Sequence, residues 1–207
     1  DYIRQRTIKM SVAECTEFSK DMAQLGKALT KLNNQSLAAV TSAGLPSGSV
    51  LQVLQAVKTD TFSTTSGTFV QVPNLTVTIT PSSTSNKILI TGSICLSSSY
   101  FAGHCGLFQD GTEIGLADTA SNRSRSFFNF VDDETVQDSH GKMSIVTREL
   151  LVSPNTTSAI TFDIRAARRF DNQQTPTTYI NRSVPDRDTV SYDFRAISTL
   201  TVKEIAG

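Results

Sequence analysis

Between Cys15 and Ala39 the larger side chains fall at Cys15, Phe18, Met22, Leu25, Leu29 and Leu32, followed by Ser36 and Ala39, a spacing of 3-4-3-4-3-4-3. That rhythm is a heptad seam, in which positions a and d share one face of a helix. Glu17, Lys20, Asp21, Gln24, Lys27, Thr30, Lys31 and Asn34 fill the intervening positions and favour water. Nothing else in the chain has a helical period, so the stripe has two ways to be buried. It can dock on the chain's own domain, the general habit of amphipathic helices, or pair with copies of itself. The isolation of the helix at one end favours the second, and a short parallel coiled coil of three chains is expected.

The flanks set the limits of this element. Ser11-Val12-Ala13-Glu14 has the form of a capping box, in which the hydroxyl and the carboxylate satisfy each other's backbone donors. Ser42-Ala43-Gly44-Leu45-Pro46-Ser47-Gly48 is a breaker cluster. The predicted organisation is therefore an anchoring arm over 1–10, carrying Arg4, Arg6 and Lys9, a stem helix over 11–41, a hinge over 42–49 and a head over 50–207.

From Val50 the period changes to two. Val50–Val57 reads as a first strand, Thr68–Val72 as a second, and Leu75–Ile79 as a third with Leu75, Val77 and Ile79 inward. Lys87–Leu96 reads as a long central strand, and Cys105–Gln109 turns through Asp110-Gly111 into Thr112–Ile114. Further strands are expected within 142–152, 159–167, 177–181 and 192–205. Residues 118–141 are rich in Ser, Asn, Asp and Arg around an aromatic island, Phe127-Phe128-Asn129-Phe130. Nine or ten short strands separated by polar turns predict an antiparallel β-sandwich or jelly roll. The fold class expected is thus mainly β, a jelly-roll head behind a trimeric coiled-coil stem.

Composition excludes several roles. Lys+Arg 19 balance Asp+Glu 19 for a net charge of +0, which gives no basic field for nucleic acid or an anionic membrane. No apolar run approaches the ~18 residues of a membrane span, and Asp1–Arg6 lacks the apolar segment of a signal peptide. The three cysteines, Cys15, Cys95 and Cys105, form no disulfide framework, so synthesis in a reducing cytoplasm is expected.

Two resemblances rest on these same segments. The turn at Pro81 before Lys87–Leu96, the Leu107-Phe108-Gln109-Asp110-Gly111 hairpin, Thr157–Phe162 and the closing strand from Ser198 resemble the globular heads of the complement and tumour-necrosis-factor superfamily. That likeness implies jelly rolls packed as trimers on a stalk. Val50–Val53, Thr59-Asp60-Thr61, Ile79–Leu89, Tyr179–Ser183 and Ser198–Ile205 are similar to uncharacterised structural proteins of tailed phages, especially marine and cyanobacterial ones. This second likeness spans roughly residues 50–207 and implies a virion setting, with the chain made in the host cytoplasm. It assigns no site residues.

Candidate chemistry is sparse. His104 and His140, with Cys95 and Cys105, lack the paired spacings of a structural zinc site, and a buried thiol pair is the better reading. Asp132-Asp133-Glu134 with Asp138 is a loose acidic cluster without the loop of a calcium motif. Asp186-Arg187-Asp188 beside Arg182 reads as surface ion pairs. No Gly-x-Ser-x-Gly elbow, phosphate loop or dinucleotide fingerprint occurs. Neither a cofactor nor a metal is expected, and the chain reads as a non-enzymatic binding protein. Phe127, Phe128 and Phe130 are the candidate contacts to a ligand or partner, with Arg165 and Arg169, which share strand parity, as a basic strip for acidic polysaccharide of a host envelope. The expected partners are two further copies and, through the arm, other virion proteins. Tail-fibre-type attachment, capsid decoration and a secreted lectin-like module remain the alternatives.

Overall fold

The computed structural model describes residues 11–38, 45–100, 102–131, 143–168, 175–188 and 193–207, with the side chains of 32–38, 130 and 131 excepted. The arm over 1–10, the acidic cluster Asp132–Asp138, His140 and Arg169 lie outside them. The chain divides into two compact units, Asp1–Leu45 and Pro46–Gly207, and the division falls inside the 42–49 segment.

Among the described residues the first unit holds one helix, α1 (Val12–Ala38). Its start is the capping box read from the sequence. The Ser11 N–H donates to Glu14 Oε2 at 2.7 Å, and the Glu14 N–H donates to Ser11 Oγ at 3.2 Å. The Ser11 N–H and then its hydroxyl hold the Glu14 carboxyl below its ordinary pKa.

The second unit is built of eleven strands among the described residues: β1 (Val50–Lys58), β2 (Phe62–Thr64), β3 (Val70–Ile79), β4 (Lys87–Ser98), β5 (Ala102–Gln109), β6 (Thr112–Ile114), β7 (Phe128–Val131), β8 (Ser144–Val152), β9 (Ile160–Arg168), β10 (Thr178–Ile180) and β11 (Ser198–Ile205). All pairings are antiparallel. In the first sheet β4 has β8 on one side, with β11 and then β10 on the other; β1 flanks β11 and β2 flanks β10. In the second sheet the order is β3-β9-β5, and β6 and β7 share the outer side of β5. Ile88, Ile90, Ile94, Leu96, Leu200 and Val202 of the first sheet and Val77, Ile79, Leu107, Phe162 and Ile164 of the second form one buried cluster. The mainly β, antiparallel class expected from the period of two is thus present.

Three details differ from the sequence reading. Val70–Val72 of the first segment and all of Leu75–Ile79 belong to one strand, β3, interrupted by a bulge between Gln71 and Thr76, while Thr68 and Phe69 precede it. In a regular strand Val72 and Leu75 face opposite sides, because their separation is odd. Asn74, at φ 66°, resets the pleat so that both are fully buried. Strand β2 has no counterpart in the sequence reading, because no tight-hairpin signal such as the Asp110-Gly111 that marks β6 stands beside it.

The third difference concerns the aromatic island, of which Phe128, Asn129 and Phe130 lie in strand β7 rather than in a polar loop. Phe128 is 0% exposed, a core residue and not a ligand contact. Its ring occupies the space that a side chain at Gly92 of β4 would need. Gly92 is the one inward position of β4 without a side chain, between Ile90 and Ile94, and an aromatic from the facing sheet fills it.

Candidate functional site

Along α1 the heptad stripe is open. Phe18 is 59%, Met22 53%, Leu25 55% and Leu29 61% exposed, and Cys15 is exposed and unoxidised. Only the helical backbone is described at Leu32. The polar side is ordinary surface: Lys20 Nζ lies 2.8 Å from Glu17 Oε1, with both side chains solvated, so the pair contributes little. No helix among the described residues is long and apolar enough to cross a membrane.

On the head, the sequence candidates are for the most part engaged internally. Phe127 packs edge-on against Phe128, with ring centroids 4.8 Å apart, and is partly buried at the margin of the core. Phe130 lies in β7, where its backbone pairs with Gly103. Arg165 is committed to the protein itself. Its Nε donates to Asp163 Oδ2 at 2.7 Å, and its guanidinium lies 4.3 Å from the centroid of the Phe108 ring. The hydrogen bond to the Asp163 carboxylate raises the pKa of Arg165. The basic strip of Arg165 and Arg169 is therefore not a free anion-binding surface at Arg165, because its fork and its face already have partners.

The ion pairs expected near 182–188 are formed, with partners from the next segment. Arg195 donates from Nε and Nη2 to both oxygens of Asp186, at 2.7 and 2.8 Å, while Arg182 lies 3.5 Å from the same carboxylate. Arg187 and the Ser183 hydroxyl donate to Asp193, and the hydroxyl first, then the guanidinium, lower the Asp193 pKa. Cys95 and Cys105 are both buried and free, and burial pushes their thiols up to about 11 and about 12. They are inert packing groups. No group of three or more His, Cys, Asp and Glu among the described residues is placed to hold a metal ion.

The second sheet's outer face carries what the sequence did not announce. There, Phe69 contacts both His104, at 5.1 Å between ring centroids, and Phe108, at 5.2 Å, each edge to face. Beside His104 opens a cleft of about 390 Å³ lined by Ala102, Gly103 and His104 of β5, Asn129 of β7, and Asn122, Arg123, Ser124 and Ser126. Strand register brings two of these together, since His104 and Asn129 are direct partners in the β5–β7 ladder. The loop closing the cleft is shaped by a turn from the Arg123 N–H to the Ala120 carbonyl, with Ser121 left-handed at φ 51°. Arg125 ties the loop down by donating to the Ala117 carbonyl at 3.2 Å. Nearby, Glu113 Oε1 is buried and accepts no hydrogen bond; burial raises the Glu113 pKa, opposed by Arg125.

The cleft residues were overlooked because 118–126 shows no period at all, and polar runs without a period are usually plain loops. The one available signal was position: the run follows the β5–β6 hairpin and returns directly into the aromatic pair Phe127-Phe128. No protein-family model matches this chain, and no curated protein matches it.

Proposed function

We propose that this chain is a homotrimeric, non-enzymatic surface protein of a tailed-phage particle, whose stem helices wind into a coiled coil and carry jelly-roll heads that attach the particle to its host. The observation that carries the reading is the open stripe Phe18, Met22, Leu25 and Leu29 on a capped helix of its own compact unit. Burying one such side chain is worth about 1.5–3 kcal/mol, a strong incentive for self-association along the whole seam.

The head is consistent with this. Its two principal strand orders, β1-β11-β4-β8 and β3-β9-β5-β7, follow from a chain that passes repeatedly between the sheets, as a jelly roll does. The outer face of the first sheet also keeps apolar side chains in water. Val53 and Leu151 are exposed there, as are Val57 and Ile145. A face with exposed Val, Ile and Leu suits contact between neighbouring heads better than permanent solvation. Avidity gives three heads a purpose, because weak contacts made together bind far more tightly than one. The resemblance of residues 50–207 to phage structural proteins supplies the particle setting.

The test is to label intact particles with an antibody against residues 50–207 and view them by electron microscopy. Label at the tail is expected. Label over the capsid would replace attachment with decoration, and no label on any particle would overturn the virion reading.

A further inference from the structure

We propose that the cleft beside His104 is a saccharide subsite for a short, carboxylate-bearing glycan, gripped by Arg123, Asn122 and Asn129. The inference deepens the attachment reading above and rests on it for its biological meaning.

The lining defines the ligand by what it offers. Asn122 and Asn129 each present both donors and acceptors, and Ser124 and Ser126 add hydroxyls. Paired amides and hydroxyls are the groups that match vicinal hydroxyls of a pyranose. Arg123 supplies a planar cationic fork suited to a carboxylate. Among the described residues that guanidinium makes no ion pair or hydrogen bond, unlike those of Arg165, Arg182, Arg187 and Arg195, which are all engaged. Among the described residues no lining residue is acidic.

The same list argues against other occupants. Among the described lining residues Ala102 has the only apolar side chain, so a lipid or an apolar peptide side chain gains little there. A nucleic acid needs several cations along a track, and among the described residues the lining holds one guanidinium, on a chain of net charge +0. A volume of about 390 Å³ is at the small end of ligand pockets. It suits roughly one or two sugar rings and leaves the rest of a polysaccharide in solvent.

The site is built in part on paired backbone. Its floor is the paired backbone of β5 and β7, His104 is backed by Phe69, and the loop is pinned at Arg125. Rigid placement reduces the entropy lost on binding.

The experiment is a calorimetric titration of the full chain with disaccharides bearing a uronic, sialic or pyruvylated unit, each beside its carboxyl-reduced partner. Saturable binding of at least one acidic disaccharide is expected, weakened about tenfold or more by carboxyl reduction and by Arg123→Ala. Asn129→Ala is expected to weaken both acidic and reduced forms. Both residues are exposed, so the variants should fold, and an unchanged thermal midpoint checks that they do. Failure of every acidic disaccharide to bind, binding that survives Arg123→Ala undiminished, or competition by inorganic phosphate alone at equal concentration would each overturn the subsite. None of these results changes where the antibody label falls, so the subsite and the virion reading fail separately.

Discussion

Glu204 shows how far a single position can be understood from its neighbours. Alternation along β11 buries Ser198, Leu200, Val202 and Glu204 on one face, which brings a carboxylate into the inward row at 1% exposure. It survives there because four donors converge on it: Gln52 Nε2 at 2.6 Å, the Ser82 N–H at 2.6 Å, Ser82 Oγ at 2.9 Å and Asn86 Nδ2 at 2.6 Å. Burial acts to raise the Glu204 pKa, but the hydrogen bonds from Asn86, Ser82 and Gln52 together bring it below 4.5. A folded pKa below the unfolded one contributes stability above the unfolded value, and that contribution is lost as pH falls through the folded value. Urea midpoints of the head are therefore expected to drop as pH is lowered past 4.5. Glu204→Gln, which turns an NH2 toward donors, should cost about 1–3 kcal/mol at pH 7 and flatten that acid-side slope. An unchanged slope in the variant would remove Glu204 from the account. Glu113 has the opposite sign: its pKa is raised by burial, so its penalty is complete above the folded pKa and absent at low pH.

The packing of Phe128 over Gly92 gives a second residue-scale expectation. Phe128→Ala should destabilise the head by about 3–5 kcal/mol. Gly92→Ala, which drives a methyl into the same ring, should cost about 1–3 kcal/mol. Denaturant melts of both variants check this. A Phe128→Ala protein as stable as wild type would mean that the ring is not in the core.

Among the elements, the helix, the long strands and the short strands β6 and β10 were legible, and β2 and β7 were not. The box Ser11…Glu14 announced the start of α1 by side-chain chemistry alone, and its hydrogen bonds are present. Ser11→Ala should lower the helix melting free energy by about 1 kcal/mol, read by far-UV circular dichroism. The Asp110-Gly111 turn was equally plain, with both residues at positive φ, 47° and 83°, as a tight hairpin demands. Strand β7 was misjudged because Phe127-Phe128-Asn129-Phe130 has no simple alternation and sits in polar surroundings. What gave it a core role was a partner distant in sequence, Gly92, and no local pattern encodes that pairing. The cleft was hidden for the same reason, since His104 and Asn129 meet only through strand register. Arg165 reads from the sequence as part of a basic strip with Arg169 for acidic polysaccharide, but the neighbour that engages it, Asp163, lies two residues earlier in the same strand.

For the whole molecule, the central claim is that an open heptad stripe makes the chain a trimer. Replacing Met22 and Leu25 together by Lys puts charge at adjacent a and d positions, where a coiled coil excludes water. The variant is expected to be monomeric with an intact β-sheet signature, because neither residue contributes to the head's core. Retention of the wild-type mass by this variant would shift the association to the exposed face around Val53 and Leu151. The most direct measurement comes before any mutation: sedimentation equilibrium of the full chain at micromolar concentration. A mass three times the 22.4 kDa of one chain is the expected result. A single-chain mass across that range would contradict the coiled-coil stem and the attachment mechanism built on it.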